Sequence, residues 1–357
     1  MVNMTVTNTA VPSLTPPERA LHSSLDLPLD QQIARLVEIA DVDDATASVG
    51  GYQAAFKDAV RYHVHKAFAQ RDEAFLHAVH KALFLIYGMH IADPCNPAAK
   101  NQNSTLILGA RNIIESAWLP APRLDSRSLD ADVEQELLAM YRKHPASNHP
   151  LFDFLRDAAD LGQFKALFIS DYALNNRFFD LITLTLLGAR QASKAEIAQN
   201  IWDEAGQGRA GESHVDLYND LIESLGLTKA EDDFAYALTW EGLAGHNLFM
   251  GCALSRKHYL KLLGVMAITE LLDPSNYEKL IAGCRRLGGG DKLRISYYEE
   301  HATIDIEHAK GWLEKVIRPI VAETPEAAQE ILVGARLRLD TCRVYYDSLL
   351  KRIRSLP

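Results

Sequence analysis

Helical period runs through almost the whole chain, and no stretch alternates apolar and polar residues as a half-buried strand does. Residues 30–41 (DQQIARLVEIAD) and 53–91 place apolar side chains three and four apart, the spacing that gathers them on one helix face. The same pattern predicts a helix over about 128–144. Beyond residue 147 it predicts helices near 150–160, 163–189, 194–204, 212–225, 230–244, 246–272, 274–286, 291–316 and 325–354. Stripes of this kind are buried helix on helix, so the expected class is all-α. The segment 92–106 (ADPCNPAAKNQNSTL) is a turn-rich break, and His149-Pro150 marks another boundary. Residues 1–27, rich in Thr, Ser and Pro, are expected to form a mobile arm. The expected layout is therefore an arm over 1–27, an N-terminal helical region over 28–146, and a second helical domain over 147–357.

Composition removes several kinds of function. Apolar residues are 48% and charged residues 24% of the 357, an ordinary globular balance, and the net charge is -10. That balance disfavours nucleic acid or an anionic membrane as partner. The four cysteines (Cys95, Cys252, Cys284, Cys342) have no CxxC spacing, so a thiolate zinc site or an iron–sulfur cluster is not expected. They read as reduced thiols of a cytoplasmic protein. The first residues lack the apolar core of a signal peptide, and no run of about 18 apolar residues suggests a membrane span. A GxG spacing at Gly206 and Gly208 follows no strand, so a phosphate loop there is not expected.

Three segments carry chemistry. In EEHATIDIEHAKGW (299–312), His301, Asp305 and His308 fall at about 0°, 40° and -20° around a helix, on one face. Two imidazoles and a carboxylate in a row suit a metal such as iron; a solvated polar face is the alternative. In NIWDEAGQGRAGESHVDLY (200–218), Glu204 and His214 stand ten apart, with three glycines between them that allow close backbone approach. The alternative is a helix end capped at Gly206, with His214 opening the next helix. In GVMAITELLDP (264–274), Glu270 interrupts an apolar stretch, which is costly unless the carboxylate is paired or metal-bound; an exposed position beside Thr269 is the alternative. Together they offer three carboxylates and three histidines on helical segments, the way helical bundles build di-iron sites. The repeated Glu-x-x-His of ferritin-like bundles is missing. Glu299, Glu300 and Glu307 are expected to face away from the ligands, and Tyr297 and Tyr298 to lie one turn before His301.

On these residues the chain resembles the haem-oxygenase-like di-iron oxidases, or iron-containing redox enzymes, over about residues 150–320. The resemblance rests on Asp203, Glu204, Gly206, Gly208 and His214, then Thr269-Glu270, then His301, Asp305 and His308, and on the 31-residue gap from Glu270 to His301. It implies a seven-helix bundle holding two iron ions by Glu204, His214, Glu270, His301, Asp305 and His308. It also implies O2 as co-substrate, an external electron donor and a small-molecule substrate. The family's remaining carboxylate, on the first core helix, has no glutamate here. Asp180 is the nearest acid and either substitutes or is an unrelated helix charge. The long N-terminal helical region, which the smaller carbon-cleaving members of the family lack, tilts the resemblance toward N-oxygenation of an amine, and the resemblance implies a homodimer. Desaturation or carbon–carbon cleavage of an amino acid or fatty acid is the alternative, followed by a metal-free helical enzyme or an interaction protein.

Overall fold

A computed structural model describes residues 16–119, 132–227, 238–288 and 293–356; most of the expected N-terminal arm, and the first part of the helix expected over 230–244, lie outside them. Among the described residues every regular element is helical. The chain divides into two compact units, Met1–Trp118 and Leu119–Pro357. The sequence reading put an edge near 147. The division falls earlier because helix Val133–Lys143 packs against the C-terminal helix.

The first unit comprises α1 (Pro16–Ser24), α2 (Leu29–Val37), α3 (Val42–Ala47), α4 (Tyr52–Val64), α5 (Glu73–Gly88), α6 (Pro97–Lys100) and α7 (Thr105–Trp118). The long helix predicted over 53–91 is two. A π turn at His65–Ala69 and a left-handed Arg71 (φ 58°) end the first, and Asp72 caps the second through the Ala74 and Phe75 amides. Helix α7 was not read from the sequence, because its start is secured from afar. Asp43 accepts from the Thr105 and Leu106 amides at 2.7 and 3.2 Å, more than sixty residues away in sequence.

The second unit continues with α8 (Val133–Lys143), α9 (Pro150–Asp157), α10 (Leu161–Asn175), α11 (Phe178–Leu186), α12 (Gln191–Glu204), α13 (His214–Ser224), α14 (Trp240–Ala253), α15 (Tyr259–Arg286), α16 (Ser296–Gly311), α17 (Arg318–Glu323) and α18 (Ala327–Arg354). A π turn, Trp312–Ile317, joins α16 to α17. His149 and Pro150 open α9 as the sequence suggested: the His149 ring accepts from the Leu151 amide, and Pro150 takes a first-turn position that needs no N–H. Asp160 and Gln163 form a reciprocal capping box on α10.

Three expected helix boundaries are corrected, one of them in the helix expected over 246–272, which is broken between Ala253 and Tyr259. The break expected at Pro274 does not occur; α15 runs through it for 28 residues. Proline inside a helix costs roughly 3 kcal/mol, and packing along α15 outweighs that here. Sixteen of its residues are buried, and it lies against α18, α16 and α9. The helix expected over 163–189 is instead broken between Asn175 and Phe178.

Small residues let α15 and α18 approach closely. A Cβ at Gly264 would lie 1.9 Å from the Ile331 carbonyl oxygen, and one at Gly334 would lie 1.9 Å from that of Lys261. Each helix thus presses a glycine onto the other's backbone. This crossing sets the register of α15, which carries Glu270, against α18, which carries Arg338.

Candidate metal centre

The three sequence segments converge in the second unit. Glu204, His214 and His301 each offer a donor atom within 4.8 Å of the others, and Glu270, Asp305 and His308 do the same. All six side chains are buried. Asp180 falls in neither group: it pairs with Arg177 at 3.4 Å and its side chain is 42% exposed. It faces a cation on its own helix turn instead of the cluster.

Local structure explains how Glu204 and His214 meet. Glu204 is the last residue of α12 and His214 the first of α13. Between them Gly206, Gln207, Gly208 and Gly211 all have positive φ, so the chain reverses tightly. A Cβ at Gly206 would lie 2.3 Å from the backbone of Glu212, so only glycine permits this approach. Ser213 then caps α13 through the Asp216 amide. A capped helix end and a pair of clustered side chains, set as alternatives in the sequence, are both present.

The remaining donors come from α15 (Glu270) and α16 (His301, Asp305, His308), which pack together. Each imidazole has one nitrogen engaged away from its cluster. The His301 Nδ1–H donates to the Tyr297 carbonyl at 2.7 Å, which leaves Nε2 facing Glu204 at 3.8 Å. His308 sets Nε2 against Asp203 Oδ2 at 3.3 Å and turns Nδ1 toward Glu270 (3.6 Å) and Asp305 (3.7 Å). His214 directs Nε2 at Glu300 (3.6 Å) and Nδ1 at Glu204 (3.0 Å). Outer partners of this kind hold ligand imidazoles in one tautomer and orientation.

Charge in the cluster is unbalanced. Burial, then the neighbouring Asp305, raises the Glu270 carboxyl to about 7. Burial also acts against the charged form of the Glu204 carboxyl, but His214 and His301 overcome it and hold that carboxyl at about 2. Burial disfavours imidazolium at His301 and His308 too. Asp305 with Glu204 nevertheless raises His301 to about 10, and Asp305 with Glu270 raises His308 to about 11. The six groups thus call for positive charge among them.

That demand fits a metal. His214 Nδ1 and Asp305 Oδ2 are buried and make no hydrogen bond among the described residues. His214 Nδ1 nevertheless lies 3.0 Å from Glu204 Oε2. Two donors about 2.0–2.2 Å from one ion stand about 3 Å apart when they subtend a right angle. Imidazole nitrogen mixed with carboxylate oxygen suits iron.

The sequence missed several neighbours. Asp203 is held by Gln199 and Gln207 and steadies His308. Its place beside Glu204 was visible; its role was not. Glu300, expected to face solvent, reaches His214 with a side chain 46% exposed. Tyr297 contributes its carbonyl, and its ring centroid lies 4.1 Å from that of His301. A cavity of about 90 Å³ adjoins Glu270, His301 and Asp305 and is also lined by Asp171, Asp273 and Arg338.

Residues 165–342 match the family described as iron-containing redox enzymes, and all six clustered residues lie within that span. The helical unit that carries the cluster matches this family over those residues, and among the described residues it is an all-α, haem-oxygenase-like bundle. A similar curated protein is the nitrosourea synthase of Streptomyces achromogenes subsp. streptozoticus, 25% identical over 142 residues. The match covers 38% of this chain and 29% of that protein, so this chain spans less than a third of that relative's length. Among the described residues no helix is long and apolar enough to cross a membrane.

Proposed function

We propose that the chain is a di-iron oxidase that uses O2 to oxidise the nitrogen of an amine on a small metabolite. The observation that carries this is the pair of buried triads, each two-thirds or one-third imidazole, with every histidine braced by an outer acceptor. Glu204, His214 and His301 would hold one ion, and Glu270, Asp305 and His308 the other. Bound iron supplies the electron transfer to O2 that organic side chains cannot.

The chain's own groups do the rest. Carboxylates offset cationic charge in a site walled off from water, and the braced imidazoles keep their donor atoms aimed. Glu270 also lines the cavity, which places that end of the cluster beside the space a substrate can enter. The overall change is R–NH2 + O2 + 2e⁻ + 2H⁺ → R–NHOH + H2O, with the electrons supplied by an external donor. The name of the similar nitrosourea synthase, whose product carries an N–N=O group, favours nitrogen as the oxidised atom.

The test is an anaerobic Fe(II) titration followed by exposure to O2, with rapid absorption spectroscopy and mass analysis of amines incubated under 18O2. Two irons per chain, an O2-dependent absorption change lost in His301→Ala, and 18O on a product nitrogen are expected. Failure to bind iron, or oxygen inserted only at carbon, would overturn the proposal.

A further inference from the structure

Five tyrosines gather against one of the two triads, and the proposed function uses none of their hydroxyls. Tyr297 and Tyr298 stand on α16, Tyr277 on α15, Tyr218 on α13 and Tyr172 on α10. Their rings touch in series. The Tyr297 ring centroid lies 4.8 Å from that of Tyr218 and 5.1 Å from that of Tyr298. Tyr298 lies 4.9 Å from Tyr277, and Tyr218 lies 6.0 Å from Tyr172. All four spacings fall in the range of aromatic contact, about 4.5–7 Å. The series begins at clustered histidines: Tyr297 lies 4.1 Å from His301 and 6.2 Å from His214, and Tyr277 lies 6.1 Å from His301. Among the described residues no aromatic ring contact reaches His308, so the tyrosines belong to the side of Glu204, His214 and His301.

Packing accounts for the rings but not for the hydroxyls. Phenylalanine fills nearly the same volume, and a hydroxyl buried without a hydrogen bond is costly. Tyr298 is fully buried, and its Oη makes no hydrogen bond among the described residues. The Tyr218 hydroxyl beside it has its hydrogen committed elsewhere, donated to the Phe168 carbonyl at 2.8 Å. Tyr172 donates to Asn219 Oδ1 at 3.1 Å. A phenol is thus kept at Tyr298 where phenylalanine would pack at lower cost. What the phenol adds is redox chemistry. It can lose an electron and a proton together, and the phenoxyl radical that results is neutral, so it suits a buried site that would penalise a charge. A phenol in ring contact can refill it.

We infer that the five phenols form a one-electron relay, with Tyr297 as its first member, that draws oxidising equivalents away from the triad when no substrate is bound. An amine supplies two of the four electrons that take O2 to water. Without it the protein must supply them: O2 + 2e⁻ + 2H⁺ + 2 Tyr–OH → 2 H2O + 2 Tyr–O•, the free electrons coming from the same external donor as before. Each step along the series exchanges an electron and a proton, as in Tyr297–O• + Tyr298–OH → Tyr297–OH + Tyr298–O•. A small reductant such as ascorbate returns one electron and one proton to each radical. Tyr297 and Tyr277 also line the cavity, so they meet the space that an absent substrate leaves open. This inference rests on the proposed function for iron and O2, and not for the fate of nitrogen.

The test reads radicals and damage instead of turnover. Fe(II)-loaded protein is mixed with O2 without any amine, freeze-quenched and examined by electron paramagnetic resonance, with ring-deuterated tyrosine in a parallel sample. An organic radical whose hyperfine splitting collapses on deuteration is expected. Tyr297→Phe keeps the ring and the backbone carbonyl that holds His301, so Fe(II) affinity should stay the same. The radical yield should nevertheless fall about ten-fold, and oxidation of His301, read by peptide mass analysis, should rise. Tyr218→Phe combined with Tyr298→Phe should strand the radical on Tyr297 and slow its loss to added ascorbate. Tyr62→Phe, at an exposed phenol of the first unit, should change none of these. Iron binding and O2 consumption with no tyrosyl signal, or a signal and a damage pattern indifferent to Tyr297→Phe, would overturn the relay and leave the proposed function standing. A tyrosyl radical in a protein that oxidises amines only at carbon would leave the relay standing and remove the N-oxidation proposal. Failure to bind iron would remove both.

Discussion

His308 stands between two sets of carboxylates: Asp203 Oδ2 lies 3.3 Å from its Nε2, while Glu270 and Asp305 face its Nδ1 at 3.6 and 3.7 Å. Asp203 therefore positions the ring without itself joining the cluster. Asp203→Ala should weaken Fe(II) binding about 10–100-fold, as loss of an outer partner of a ligand histidine does elsewhere. The circular dichroism of the metal-free protein should not change. Equilibrium Fe(II) titration measures the first; wild-type affinity in the variant would show that the ring is held by packing alone.

The two triads predict separable ions. Glu204→Gln should disturb the group that includes His214 and His301, and Glu270→Gln the group that includes Asp305 and His308. Each variant should fall from two tightly held irons to one, measured by metal analysis after gel filtration. Loss of both ions in either variant would mean that the groups act as one indivisible site.

Iron uptake should release protons. His301, raised to about 10, and His308, raised to about 11, are imidazolium at neutral pH on the protein's charges alone, whereas iron takes neutral imidazole. A histidine raised in this way stabilises the metal-free fold fully below its unfolded value, about 6.5, and that contribution is lost as pH rises through 10 to 11. Higher pH thus weakens the competitor and should strengthen Fe(II) binding between about pH 6 and 9. Calorimetry in two buffers of different ionisation enthalpy counts the protons. Binding that is independent of buffer and of pH would refute this charge state.

The close crossing of α15 and α18 predicts a stability effect. Gly264→Ala or Gly334→Ala would set a methyl group 1.9 Å from a backbone oxygen of the partner helix, so the helices must part. Overpacking of this kind costs about 1–3 kcal/mol. Denaturant titration should show that loss, while Gly50→Ala, with nothing within 4 Å of the new methyl, should be nearly neutral. Because α15 carries Glu270, the two destabilised variants should also bind iron more weakly.

The helical class and the row His301, Asp305 and His308 were legible in the sequence because both follow from local periodicity: a spacing of four and seven residues puts these three on one helix face whatever that helix packs against. The loop between Glu204 and His214 was half legible, since its glycines marked a reversal without saying that the reversal brings the two side chains together. Asp180, left open in the sequence between a ligand and an unrelated helix charge, lies beside Arg177 on the same helix turn, a neighbour that its distance in sequence from His214 did not reveal.

What the tertiary structure alone decided is everything that joins separate elements. Nothing local to Asp43 says that it caps a helix sixty residues on, and nothing around Pro274 says that packing will carry α15 through it. Arg338 and Asp273 lie 65 residues apart, each ordinary on its own helix. The close approach of α15 and α18, permitted by Gly264 and Gly334, brings both to line one cavity. Hydrophobic period dictates which face of a helix turns inward, but the partner it meets there depends on the packing of the whole core.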